Sequence, residues 1–132
     1  MQLKTFLPNS LPACYKEFVI SSYTRILRNS CPYFSAIQKE TYYPIAKNTI
    51  LDKLETSYVK MFTDDEIIIG YSIYSEVCFH VILIKRLYRG EGLVKDLLPD
   101  TDVSYYSTFL NKNNKNLLKN LGFELIFNPY SR

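Results

Sequence analysis

The chain has 132 residues, of which 47% are apolar and 22% are charged. This length suits a single domain over residues 1–132, and the composition excludes a disordered chain. Sixteen basic and 13 acidic side chains leave a net charge of +3, which excludes a strongly basic nucleic-acid arm and makes nucleic acid an improbable partner. The apolar runs are too short for a membrane span or a signal peptide, so neither is expected.

The cysteines Cys14, Cys31 and Cys78 are odd in number and widely spaced. This pattern matches neither a disulfide framework nor paired zinc ligands. We therefore expect free thiols, no metal site and a cytoplasmic location.

Helical spacing and strand-like runs alternate along the chain. The first part predicts a strand over 2–7, a helix from the N-cap Ser10 to about Arg28, a loop over 29–38 and a helix over 43–55. The rest predicts strands over 57–62, 66–74 and 77–84, a turn at 63–65, a helix over 89–98, a strand over 103–108, a helix over 112–121 and a strand over 123–127. This order indicates an α/β (α+β) domain with helices on both faces of a mixed sheet.

Residues 82–98 carry the clearest chemical signal, because a buried strand runs into a basic turn containing Gly90 and Gly92, then into a predicted helix. Glycines let the backbone approach an anion, and helix N-terminal amides and the helix dipole favour negative charge. The pattern is neither a P-loop nor a dinucleotide fingerprint, and a turn that merely needs glycine is the alternative interpretation.

The run Arg89-Gly90-Glu91-Gly92-Leu93-Val94 resembles the acetyl-CoA signature of the GNAT N-acetyltransferase superfamily. Asn111, followed by a predicted helix ending in Gly122-Phe123-Glu124, resembles the second signature of that family. The element order is also similar over nearly the whole chain, and residues 79–98 resemble GNAT-like proteins of tailed bacteriophages.

The resemblance implies a splayed sheet in which strands 77–84 and 103–108 run parallel and admit acetyl-CoA as the acyl donor. Ile82, Leu83 and Ile84 would pair with the pantetheine arm. The amides of Arg89, Gly90, Gly92, Leu93 and Val94 would hold the diphosphate, and Asn111 would contact the cofactor arm.

Three departures from the family pattern bear on activity. Val94 replaces a small residue in the phosphate turn, and Leu118 replaces a tyrosine that protonates the leaving thiolate in many members. The chain ends at Arg132, about one strand earlier than family members, which would leave a sheet edge for an oligomer or virion partner.

Three residues are candidates for acid–base chemistry, each with a structural alternative. His80 is the only histidine and suits a general base by its pKa, although a histidine in an apolar strand also suits the core. Glu76 could act through a water, or be an exposed turn residue. Tyr105 could replace the missing acid, or pack as an aromatic residue.

Two functions therefore follow from the sequence. The first is an acetyl-CoA-dependent N-acyltransferase acting on an unidentified amine, in the host cytoplasm if the protein is encoded by a phage. The alternative is a GNAT-fold binding or structural protein with little or no turnover, such as a virion or host-interaction component.

Overall fold

The computed structural model describes residues 1–99, 105–107, 118–119, 121, 123 and 125–127. Its elements are β1 (Gln2–Phe6), α1 (Ala13–Ser30), α2 (Pro32–Ser35), α3 (Lys39–Thr56), β2 (Tyr58–Asp64), β3 (Ile67–Tyr74), β4 (Phe79–Ile84), β5 (Tyr105–Ser107) and β6 (Leu125–Phe127). Two short 3₁₀ turns, Arg86–Tyr88 and Val94–Leu97, follow β4. In the part of the chain that is described, no helix is both long and apolar enough to cross a membrane.

The strands form a four-stranded antiparallel sheet in the order β1-β2-β3-β4 and a separate parallel pair, β5 and β6. The predicted α/β class with a mixed set of strands is confirmed. β5 lies close to β4, but no ladder joins them within the described residues. The predicted parallel, splayed arrangement of these two strands stays a prediction.

The four-stranded sheet is covered on both faces, as near-continuous apolarity along β3 and β4 predicts. We call the face that packs on α1 and α3 the helix face. Its core includes Tyr15, Val19, Tyr23, Ile50, Leu54, Val59, Met61, Tyr71, Ile73 and Val81. The opposite face packs on the second 3₁₀ turn and on Leu118 and Phe123, and contributes Phe62, Ile69, Phe79, Ile82 and Ile84.

Several predicted boundaries are wrong. The first helix begins at Ala13 after Pro12, and the Ser10 hydroxyl donates to the Leu7 carbonyl at 2.6 Å instead of capping the helix. The predicted loop over 29–38 contains the short helix α2. Its first residue is Pro32, and proline is common at the first position of a helix. The turn between β2 and β3 falls at Asp65 and Glu66, whose φ values of 48° and 67° suit a tight hairpin turn.

The predicted helix over 89–98 is also wrong. Gly90 and Gly92 have φ values of 87° and 74°, which break helical geometry, and only the 3₁₀ turn Val94–Leu97 forms before Pro99. Residues 85–98 therefore form an extended loop with two 3₁₀ turns, and no α-helix forms within them.

Gly70 on β3 provides a test of how tightly β3 and β4 pack. A Cβ atom there would lie 2.8 Å from the Leu83 carbonyl oxygen and 3.2 Å from Ile84 Cγ1. We expect Gly70→Ala to lower the free energy of unfolding by about 1–3 kcal/mol, because the backbone of β4 would have to move. Urea denaturation measures this, and an unchanged midpoint would show that β4 does not pack as described.

Candidate functional site

A cleft of about 1310 Å³ opens beside β4. One wall is a face of α1, the second is the end of β4, and the third is the loop after it. The described lining residues are Phe18, Ser22, Arg25, Ile26, Asn29 and Ser30 of α1, residues 82–85, residues 89–96, and Leu121. The cleft is large enough for an extended ligand of several hundred Å³.

The open edge of β4 supplies backbone groups to this cleft. The Lys85 amide donates to the Ile69 carbonyl at 2.9 Å, and Leu83 pairs with Tyr71, so these residues turn their backbone groups toward β3. Alternation along an antiparallel strand then directs the backbone groups of Ile82 and Ile84 away from β3. No described strand pairs with this edge, and Arg89 Nε donates to the Ile84 carbonyl at 2.9 Å.

The loop after β4, residues 85–94, supplies unpaired amides. Across the described residues, the backbone amides of 90–94 have no hydrogen-bond acceptor. A Cβ atom built at Gly90 or Gly92 would meet nothing within 4 Å, so positive φ, not close packing, is what requires glycine at both positions. Successive free amides around such a turn can bind an anion without a helix dipole.

The charges around the cleft favour an anionic ligand. Its described lining carries four basic side chains, Arg25, Lys85, Arg89 and Lys95, against the carboxylates of Glu91 and Asp96. The Lys85 ammonium lies 4.9 Å from the centre of the Phe18 ring, which fixes α1 against the end of β4.

The structure places most of the residues predicted to bind a cofactor in this one cleft. Ile82, Leu83, Ile84, Arg89, Gly90, Gly92, Leu93 and Val94 all line it. Asn111 lies outside the described residues. Leu118 is buried beneath the sheet in the cluster that also contains Leu97, so this position contributes packing.

His80 lies on the helix face of the sheet and is not among the described lining of the cleft. The ladder shifts register opposite Ile73 and Tyr74, so His80 occupies a β-bulge. Its Nδ1 lies 3.6 Å from Cys78 Sγ, and only 4% of the residue is exposed. Burial, with a smaller contribution from the Lys53 ammonium, lowers the pKa of His80 to about 3, so the imidazole is neutral at pH 7.

Glu76 is not among the described lining residues of the cleft, and only the backbone of Tyr105 is described. Glu76 is exposed in the turn before β4, whereas the glycine loop follows the far end of that strand. Tyr105 begins β5, and its backbone pairs with Leu125 of β6. The acid–base assignments of His80, Glu76 and Tyr105 stay predictions.

Sequence reasoning missed the α1 wall of the cleft. Phe18, Ser22, Arg25 and Asn29 recur at spacings of four, three and four residues, which places them on one helix face. This mixed polar and apolar stripe was the available signal, but which element it faces depends on the tertiary packing.

Neither protein-family models nor curated proteins match this sequence. Two solved structures align with this chain. A Staphylococcus aureus protein described as belonging to the GNAT acetyltransferase family aligns with a TM-score of 0.57 at 10% identity, covering 96% of this chain and 98% of that one. AAC(6')-Iy in complex with the bisubstrate analogue CoA-S-monomethyl-acetylneamine aligns with a TM-score of 0.41 at 12% identity, covering 97% and 80%. The alignment with the Staphylococcus aureus protein over nearly the full length of both chains shows that this chain has a GNAT-like fold.

Proposed function

We propose that the protein is an acyl-CoA-dependent N-acyltransferase with acetyl-CoA as its donor. The observation that supports this most directly is that the outward edge of β4 and the amides of residues 90–94, which have no backbone partner among the described residues, share one cleft. The outward edge of β4 at Ile82 and Ile84 suits the amides of a pantetheine arm, and the free amides of residues 90–94 suit a diphosphate. The GNAT-like fold of the chain agrees with this arrangement.

Arg89 would have two successive roles in this proposal. Without a bound ligand, its Nε donates to the Ile84 carbonyl and so holds the end of β4 in place. A bound diphosphate would offer the guanidinium a stronger, charge-assisted partner. Lys95, also in the cleft lining, would add a second cation near the same anion.

The reaction is the attack of an amine nitrogen on the thioester carbonyl. The new C–N bond forms as the C–S bond breaks, and the proton lost by the amine must finally reach the departing thiolate. His80 is the proposed base by residue type, but a pKa of about 3 makes it a weak one, and its burial favours a packing role. Glu76 and Tyr105 remain the other proposed acid–base groups.

A GNAT-fold protein that binds a ligand without turnover is the second candidate. One observation favours it: Leu118, at the position where many members of the resembled family have a tyrosine that protonates the thiolate, packs in the core. Its proposed setting, a phage virion or a host-interaction complex, rests on the sequence resemblance alone.

The pairing of the donor with β4 can be tested at Ile82. Proline is tolerated in a strand where the N–H faces outward, so Ile82→Pro removes the proposed outward donor without breaking a bond to β3. We expect this change to weaken acetyl-CoA binding by about 10-fold relative to Ile82→Ala, which loses the same apolar side chain but keeps the N–H.

Isothermal calorimetry with acetyl-CoA measures this difference, and circular dichroism checks that both variants fold. Leu83→Pro is the control for the direction in which the N–H points. The Leu83 N–H faces β3, so proline there breaks a hydrogen bond of the sheet and should unfold the protein. Equal acetyl-CoA affinity in folded Ile82→Pro and Ile82→Ala would contradict the proposed pairing.

A further inference from the structure

The direction of α1 relative to β4 determines which part of the cleft each α1 residue reaches. Phe18 lies under the Lys85 ammonium, at the C-terminal end of β4. One turn later, Ser22 Oγ lies 2.7 Å from the hydroxyl of Tyr71, whose strand partner is Leu83. α1 therefore runs antiparallel to β4, away from the glycine loop.

The next residues of α1 continue in the same direction. At about 1.5 Å per residue, Arg25 lies roughly 10 Å and Asn29 roughly 16 Å beyond Phe18 along the helix axis. Both line the cleft, together with Ile26 and Ser30. We call these four residues the far end of the cleft, because they lie opposite the glycine loop.

The far end of the cleft differs in charge from the end beside the glycine loop. The two carboxylates in the described lining, Glu91 and Asp96, both belong to the segment after β4. At the far end the described lining carries the Arg25 guanidinium, the Asn29 amide and the Ser30 hydroxyl, with Ile26 as the apolar member. A polycationic amine would meet a cation there and no described carboxylate.

Arg25 is free to bind an anion. It is exposed, and within the described residues its one hydrogen bond runs from Nε to the Ser21 carbonyl at 3.4 Å, which leaves both terminal nitrogens as donors. The planar fork of an arginine matches a carboxylate in a bidentate pair better than it matches a hydroxyl or an amide.

We propose that the far end of the cleft recognises a substrate carboxylate through Arg25, so that the acceptor is an amine that also carries a carboxylate, such as an amino acid or a peptide end. The inference rests on the proposed function, because a donor held with its diphosphate at the glycine loop and its arm along β4 directs its thioester toward the far end. Arg25 would equally suit the free carboxylate of a dicarboxylic acyl group carried by CoA. The experiment distinguishes a carboxylate on the acceptor from one on the acyl group.

The test uses the full chain and a panel of α-amino acids, each offered as the free acid and as the matched carboxamide, with spermidine as the polycation. Thiol release from acetyl-CoA reports turnover. Calorimetric titration of N-acetylated amino acids and their carboxamides into the CoA-saturated protein reports binding without turnover. We expect the free acids to bind or react about 10- to 100-fold better than the carboxamides, and Arg25→Gln to remove this preference.

Arg25→Gln should leave the affinity for CoA itself within about twofold, since Arg25 lies at the far end. Lys47→Gln, which removes one positive charge from an exposed position on α3, should behave like the unmodified protein. An Arg25-dependent preference for succinyl-CoA over acetyl-CoA would assign the carboxylate to the acyl group instead.

Two results would overturn the inference while the proposed function stands: preference for spermidine or the carboxamides, or an acid preference that survives Arg25→Gln. Failure of the unmodified protein to bind CoA would overturn the proposed function, and the inference with it.

Discussion

Substituting glutamate for Gly92 should abolish acetyl-CoA binding, with a loss of affinity of more than about 100-fold. Gly92 has a φ of 74° in the loop whose free amides are proposed to hold the diphosphate. Glutamate would bring a negative charge beside that anion and would reshape a backbone that only glycine adopts easily. Calorimetry with acetyl-CoA measures the effect.

The matched control is Gly92→Gln, which has the same size and the same backbone strain without the charge. Its cost to folding should equal that of the glutamate variant, about 1–2 kcal/mol, because no atom lies within 4 Å of the new Cβ. We expect the glutamine variant to retain weak binding. If both variants bind acetyl-CoA as well as the unmodified protein does, the loop is not the diphosphate site.

His80 should make the stability of the protein depend on pH. Its folded pKa is lowered to about 3 from an ordinary value of 6.5, because burial disfavours the imidazolium and the Lys53 ammonium adds repulsion. The unfolded chain therefore binds a proton at His80 at a pH where the folded chain does not, and stability is lost as pH falls. Between pH 7.5 and 5 the loss should be about 2 kcal/mol.

Urea denaturation at several pH values measures this dependence. His80→Gln should abolish the slope in that window, since glutamine does not titrate. Glu66→Gln is the control: the Tyr15 hydroxyl and Lys4 ammonium lower the pKa of Glu66, so its titration falls below the ordinary value of 4.5 and outside the window. An unchanged slope in His80→Gln would show that His80 is not buried as described.

The same His80 variant separates a packing role from a catalytic one. If His80 is the base, His80→Gln should reduce thiol release strongly while acetyl-CoA affinity stays nearly intact. If it is a core residue, the substitution should cost about 1–3 kcal/mol of stability, and thiol release per folded molecule should not change. The contact with Cys78 and the location on the helix face favour the second outcome.

Local pattern was sufficient to predict most elements of the fold. The β-branched runs along β3 and β4 and the helical spacing of Tyr15 and Val19 place these residues in elements that the structure confirms. Helix boundaries were less predictable. The residues before Tyr43 gave no apolar spacing, yet α3 begins at Lys39, and the buried Tyr42 in its first turn donates its hydroxyl to the Thr24 carbonyl of α1.

The site was predictable where it depends on consecutive residues and not where it depends on packing. The glycine loop and the end of β4 were assigned from sequence, and the structure brings them to one cleft. The helix expected over 89–98 was wrong because the positive φ values of Gly90 and Gly92 interrupt it. The α1 wall could not be predicted, because its position opposite β4 is set by contacts such as that between Ser22 and Tyr71.

The central claim is that the cleft beside β4 binds an acyl-CoA donor. Isothermal calorimetry of the unmodified protein with acetyl-CoA tests it most directly, with adenosine as a ligand that lacks both the diphosphate and the pantetheine arm. We predict one acetyl-CoA per chain with a dissociation constant below about 1 mM, or more than about 4 kcal/mol of binding free energy, and no comparable heat with adenosine. Absence of heat at millimolar acetyl-CoA would contradict the claim.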